Sequence, residues 1–139
     1  MRALKILVAA ASLMVAAGAA HAETVSFHTT LSSAASVPPN ASTGTGMVMA
    51  TVDTATKAFN YEVTYSGLTG PATAAHFHGP AAAGANGPPV VPVASPASPI
   101  KGTATLNDAQ LADLLAGKWY FNVHTAANRG GEIRGQLTK

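Results

Sequence analysis

The chain of 139 residues contains no cysteine. Without a thiol it can form no disulfide, carry no lipid anchor on a cysteine, and use no cysteine nucleophile. Thiolate-ligated metal centres are excluded on the same ground, including blue-copper sites and structural zinc sites built on cysteine. The fold must therefore be stabilised by packing alone, and a transition-metal site would have to use other donors.

Charge is sparse, and it is balanced beyond the first few residues. Eight Lys and Arg stand against six Asp and Glu. Two of the basic residues, Arg2 and Lys5, lie at the extreme N-terminus, and without them six residues of each sign remain. Because no basic cluster is left, nucleic acid and anionic membrane surfaces are poor candidate partners.

Paired carboxylates and a Ser/His/Asp grouping are also missing. Asp108 and Asp113 fall in a predicted helix, and Asp53 falls in a predicted turn. General acid–base or nucleophilic catalysis therefore has no evident set of residues. The sequence favours a binding protein over an enzyme.

A long apolar run, residues 6–17, follows the two N-terminal basic residues. It is too short for a stable membrane span. Ala20-His21-Ala22 then supplies the small-x-small pattern of a signal-peptidase site. We expect residues 1–22 to be a signal peptide and residues 23–139 to form one periplasmic or secreted domain without stable membrane insertion.

The mature segment has mostly the two-residue period of β-strands. Apolar Phe59, Tyr61, Val63 and Tyr65 alternate with polar residues, and a turn at 53–57 would join them to a strand at 46–52. Further strands are predicted at 24–31, 74–78, 119–125 and 132–137, with a short edge piece at 90–93. This piece lies in the proline-rich loop 79–99, which leads directly out of strand 74–78. The pattern predicts an all-β sandwich or barrel of about seven strands.

One short crossover helix is marked by its ends. Asn107 is a good N-cap, Gln110 stands at the capping-box position, and Gly117 stands where a C′ glycine belongs. An apolar stripe between these ends is formed by Leu106, Leu111, Leu114 and Leu115.

Histidines supply the candidate site. His76 and His78 alternate with Phe77, so they share one face of their strand, with Cβ atoms about 6–7 Å apart. His124 lies in a second strand and shares its face with Tyr120 and Asn122, which could orient an imidazole. Three imidazoles on one polar face would form a metal site, and the alternative is that they are ordinary hydrogen-bonded strand residues.

The donor set favours copper, with zinc as the second choice. Three neutral imidazoles with no carboxylate suit these metals better than calcium, magnesium or manganese, and copper(II) stands highest in the Irving–Williams order. Copper(I) also accepts thioethers, so Met47 and Met49 are further candidate ligands, although core packing on a β-strand is the favoured explanation for them. His28, with polar neighbours, is a possible fourth ligand.

Four segments together resemble the signature blocks of the chordin-type (CHRD) domain family. They are Ala75-His76-Phe77-His78-Gly79-Pro80-Ala81, Asn86-Gly87-Pro88, Tyr120-Phe121-Asn122-Val123-His124-Thr125 and Gly130-Gly131-Glu132-Ile133-Arg134-Gly135-Gln136-Leu137. The resemblance extends from about Phe27 to Leu137. It implies an immunoglobulin-like or Greek-key β-sandwich in a secreted protein. Ser36 and Arg129 depart from the family pattern, which usually has glutamate and proline there.

The histidine pattern also resembles the copper half of copper/zinc superoxide dismutase, an analogy of ligand pattern and fold class only.

From the sequence we expect a periplasmic protein that binds one copper through His76, His78 and His124, for copper buffering, resistance or transfer to another periplasmic copper protein. Two alternatives stay open: a metal-free interaction module and a dismutase-like copper enzyme. Arg134 and Arg129 could guide an anion, but Arg134 is expected to pair with a carboxylate. A homo-oligomer also stays open.

Overall fold

The computed structural model describes Gly18 and residues 21–139, so most of the predicted leader lies outside the described residues. The described part contains eight strands and one helix. In chain order they are β1 (Thr24–Ser32), β2 (Thr45–Asp53), β3 (Ala58–Ser66), β4 (Ala72–His78), β5 (Pro89–Pro92), β6 (Ile100–Thr105), α1 (Asp108–Leu115), β7 (Tyr120–Thr125) and β8 (Ile133–Gln136). The predicted all-β class with one crossover helix is confirmed.

All eight strands belong to one antiparallel sheet with the order β5-β4-β7-β8-β1-β2-β3-β6. The sheet curls on itself, since β3 packs against β4 although several strands separate them. The ring centroids of Phe59 and Phe77 are 5.1 Å apart, and those of Tyr61 and Phe77 are 4.9 Å apart. The core thus lies inside one curved sheet, and every strand has an inner and an outer face.

Strand β6 was not predicted from the sequence. Its residues Ile100–Thr105 alternate Ile, Gly and Ala with Lys and Thr, a weak apolar pattern, and only Ile100 is buried. The strand forms because β3 offers it a complete pairing partner, from Ala58↔Thr105 to Val63↔Ile100. The expected edge piece at 90–93 is found as β5, which pairs with β4 at the opposite end of the sheet.

Helix α1 has the predicted ends. The Asn107 side chain accepts from the backbone N–H of Gln110, whose side chain accepts in turn from the backbone N–H of Asn107. Gly117 takes the left-handed φ of +74° that favours glycine after a helix. Leu114 is fully buried, which anchors the crossover from β6 to β7. Among the described residues, no helix is both long and apolar enough to span a lipid bilayer.

A fully buried carboxylate, Glu132, fastens three connecting segments to the start of β8. It accepts hydrogen bonds from the Ser42 hydroxyl at 2.9 Å, from the hydroxyl and the backbone N–H of Thr69, from the Thr125 hydroxyl at 2.8 Å and from the Asn128 amide at 3.1 Å. These donors hold its pKa down at about 2, although burial alone would raise it. The turn between β7 and β8 is thereby fixed next to the histidines.

Candidate metal centre

Strands β4 and β7 are neighbours, and their pairing brings the three predicted histidines together. The register pairs Ala74 with His124, His76 with Asn122 and His78 with Tyr120. Phe77, Phe121 and Val123 point into the core and are fully buried. The histidines therefore lie on the outer face, as the alternation in the sequence predicts.

One ring nitrogen from each histidine lies within 4.8 Å of the other two. The ring centroid of His76 lies 5.4 Å from that of His78 and 5.3 Å from that of His124. Ligands about 2.0 Å from a metal lie roughly 3.3–3.5 Å from each other in a tetrahedral or trigonal site. Small side-chain rotations would close the cluster around an ion.

One ring nitrogen of each histidine has no protein partner. His76 Nδ1, His78 Nε2 and His124 Nε2 are buried, and none has a hydrogen-bond partner within the described part of the chain. Such groups are costly unless something satisfies them. An ion with these three nitrogens as ligands would satisfy all of them at once.

Two backbone carbonyls select the tautomer that leaves Nε2 free. His78 Nδ1 donates to the Gly87 carbonyl at 2.9 Å, and His124 Nδ1 donates to the Arg129 carbonyl at 2.7 Å. Because a carbonyl oxygen only accepts, each Nδ1 must carry a proton, and in the neutral ring each Nε2 then carries the lone pair. This is the usual arrangement behind a metal-binding histidine.

The His78 ring is also held by stacking. It lies parallel to the Tyr120 ring, with an interplanar angle of 4° and centroids 4.8 Å apart. The Arg134 guanidinium covers the Tyr120 ring at 3.5 Å from its centroid. The Tyr120 hydroxyl accepts from the Gly87 N–H at 3.1 Å and donates to the Gly87 carbonyl at 3.2 Å. Tyr120 therefore positions both His78 and the carbonyl that orients it.

The environment favours the neutral form of His76 and His78. Burial lowers the pKa of His76, and the neighbouring His124 and His78 lower it further. Burial also lowers the pKa of His78; the hydrogen bond to Gly87 partly opposes this effect, and His124 reinforces it. Neutral rings keep their lone pairs at physiological pH, which is the form that a metal ion requires.

The loop after β4 covers this face. Arg134 donates to the Ala85 carbonyl at 2.6 Å and to Asn86 Oδ1 at 3.0 Å, and Gln136 Nε2 donates to the Ala81 carbonyl at 2.8 Å. The expectation that Arg134 pairs with a carboxylate is wrong. Its partners are loop oxygens and the Tyr120 ring, because the loop folds back over β8.

The other candidate ligands lie elsewhere. Met47 and Met49 are on β2, which β7, β8 and β1 separate from β4, and His28 is on β1 opposite Met49. The structure does not bring these three to the histidine cluster. The prediction that the two methionines pack in the core is also wrong, since Met47 is 50% exposed and Met49 is 61% exposed. Both side chains point outward because Val48, between them, points into the core.

The sequence did not reveal that the Gly87 and Arg129 carbonyls accept from the histidines, or that Glu132 accepts hydrogen bonds from several segments. No side-chain pattern marks a backbone carbonyl as a functional group. The Asn-Gly-Pro segment that contains Gly87, and the turn that contains Arg129, were the available signals. Gly131 in that turn has a φ of +125°, and an added Cβ would lie 2.9 Å from Asn122 Nδ2, so the turn requires glycine there.

The CHRD domain model matches residues 27–137, which is most of the chain. The chain belongs to the CHRD domain family. The predicted family is therefore confirmed, and the histidine-bearing strands both lie within the matched region. No curated protein and no solved structure matches this CHRD-domain chain.

Proposed function

We propose that this CHRD-domain protein is an exported copper-binding protein that holds one copper ion through His76, His78 and His124. The observation that carries the proposal is a cluster of three imidazoles in which one ring nitrogen of each lies within 4.8 Å of the others. Each ring also has a buried nitrogen without a hydrogen-bond partner among the described residues, and two of the rings donate through Nδ1 to carbonyls. No protein group among the described residues uses those nitrogens. Their availability favours a ligand role over a structural one.

Copper is favoured over other metals by the all-nitrogen donor set. Within the described residues, the histidine cluster contains no carboxylate or thiolate, and Glu132 is occupied by five hydrogen bonds of its own. Hard cations such as calcium and magnesium prefer oxygen ligands. Copper(II) outranks zinc for the same imidazoles.

Buffering or transfer of copper fits the site better than catalysis. Three protein ligands leave room for a donor from a partner, such as another periplasmic copper protein, before the first ligands leave. A dismutase-like reaction would also need positive charge directed at the metal. The guanidinium of Arg134 instead lies over the Tyr120 ring and donates to the loop.

The test is electron paramagnetic resonance of the protein from Glu23 onward, loaded with one equivalent of copper(II). We expect a nitrogen-ligated type 2 spectrum that is lost in His124→Ala. His28→Ala is the matched control, because it removes an exposed histidine from a different strand pair. The control should keep the spectrum.

A spectrum like that of free copper would contradict the proposal, as would a spectrum that survives replacement of His124. If added copper also fails to change thermal stability, the metal-free interaction module would be supported instead. Turnover of superoxide that depends on bound copper would support the enzyme.

A further inference from the structure

Met47 and Met49 are the large hydrophobic side chains that the described residues expose, at 50% and 61%. Both lie on the outer face of β2, with their Cβ atoms about 6–7 Å apart. Their exposure is unusual for strand residues of this size, and it places two thioether sulfurs side by side in solvent.

A third candidate donor, an imidazole, faces them from the neighbouring strand. His28 is the register partner of Met49 on β1. The backbone N–H of His28 donates to the Thr138 carbonyl at 2.9 Å, and its carbonyl accepts from the Thr138 N–H at 3.4 Å. Both backbone groups of His28 therefore point away from β2, so His28 and Met49 form a non-hydrogen-bonded pair. In such pairs the Cα atoms are only about 4.5 Å apart and the side chains are close.

The geometry allows all three side chains to meet one ion. Met47 is diagonal to His28, and diagonal neighbours about 7–8 Å apart are within reach of long side chains. The carboxylate of Glu62, the register partner of Met49 on β3, forms an ion pair with Lys101 at 3.6 Å. An open groove of about 670 Å³ across β1, β2, β3 and β6 gives access to His28 and Met49.

We propose that His28, Met47 and Met49 form a second metal site, separate from the histidine cluster, that binds a soft monovalent cation: copper(I) or its analogue silver(I). Thioethers and imidazole are the donors that copper(I) accepts, and thioethers discriminate against copper(II), zinc and hard cations. The site lies on the opposite half of the sheet from β4. It does not depend on the copper site proposed above.

The amino-acid composition leaves few sulfur atoms that could bind the probe ion elsewhere. From Glu23 onward, Met47 and Met49 are the sole methionines, and the chain has no cysteine. Protein labelled with ¹³C at the methionine methyl groups should therefore give two methyl signals. Silver(I) is diamagnetic and redox-inert, so its titration can be followed through these signals.

We expect both methyl signals to shift and to saturate at one silver ion per site. The same shifts should persist in His76→Ala/His78→Ala, which removes the histidine cluster. His28→Ala should weaken the binding at least about tenfold, whereas Thr30→Ala, on the same face of β1, should not. In copper(I)-loaded protein, X-ray absorption should detect copper–sulfur scattering that disappears in Met47→Leu/Met49→Leu, a substitution that preserves apolar volume.

Three results would overturn the second site. They are methyl signals that silver does not move, sulfur scattering that survives the double leucine variant, and shifts that vanish with the histidine cluster. Its failure is distinguishable from failure of the copper(II) site, since the latter is read from the type 2 spectrum and its loss in His124→Ala.

Discussion

At the scale of single residues, Glu132 shows how a carboxylate can be buried without a cation. Its five hydrogen bonds come from hydroxyl, amide and backbone N–H donors. The described salt bridges, Lys57–Asp108 and Lys101–Glu62, lie elsewhere. The residue links several parts of the fold, since its donors come from three connecting segments and from the end of β7.

Glu132→Gln should therefore destabilise the domain by about 2–4 kcal/mol, because the amide nitrogen would face donors in a buried site. Glu62→Gln is the matched control. It breaks an exposed ion pair and should cost no more than about 1 kcal/mol. Urea unfolding of both variants measures the difference, and equal costs for the two would contradict the assigned role of Glu132.

The sequence allows the three clustered histidines to be predicted at this scale, because strand alternation places side chains on faces. It does not allow the Gly87 and Arg129 carbonyls to be predicted. Their positions depend on how two connecting segments fold back, and those paths follow from Arg134, Tyr120 and Glu132 contacts that no local pattern specifies.

At the scale of elements, Tyr120 connects β7 to the loop after β4. Tyr120→Phe keeps the ring that stacks on His78 but removes the hydroxyl that binds both backbone groups of Gly87. We expect copper(II) affinity to fall about tenfold or more, because the His78 tautomer is less firmly held. Competition with a chromophoric chelator measures this affinity.

Tyr65→Phe serves as the control for that variant. It removes a tyrosine hydroxyl that donates to the Pro96 carbonyl at 2.5 Å, in a different part of the fold. Its copper affinity should equal that of the unmodified protein. A similar loss in both variants would mean that the effect of Tyr120→Phe is general destabilisation.

Predictions at this scale succeed where a periodic or capping pattern is strong, as in β3 and α1. They fail for β6, whose strand structure comes from pairing with β3 instead of from its own residues. They also fail for the two methionines, since apolar composition suggested a core position although strand parity points them outward.

At the scale of the whole molecule, pH should control the stability of the metal-free protein. Burial lowers the pKa values of His76 and His78 below 6.5 in the folded protein. Just below pH 6.5 the unfolded chain therefore binds protons that the folded protein does not bind. Their stabilising contribution is complete above about pH 6.5 and is lost as the pH falls through the lowered values. Glu132 acts at lower pH: its contribution is present above 4.5 and is lost as the pH falls towards about 2.

Thermal unfolding from about pH 8 to about pH 5 checks the histidine part. The melting temperature should fall across this range, and the fall should be smaller in His76→Gln/His78→Gln. An unchanged slope in that variant would show that the two histidines do not cause the pH dependence.

The pairing of β4 with β7 has a further consequence, for the order of events during folding. The chain between them contains β5, β6 and α1, so this pairing costs more loop-closure entropy than a hairpin does, and we expect it to form after the local hairpins. A chain that is still unfolded offers only the local His76/His78 pair. We expect His124 to join them only when β7 has paired with β4, so the proposed three-histidine site would require that pairing.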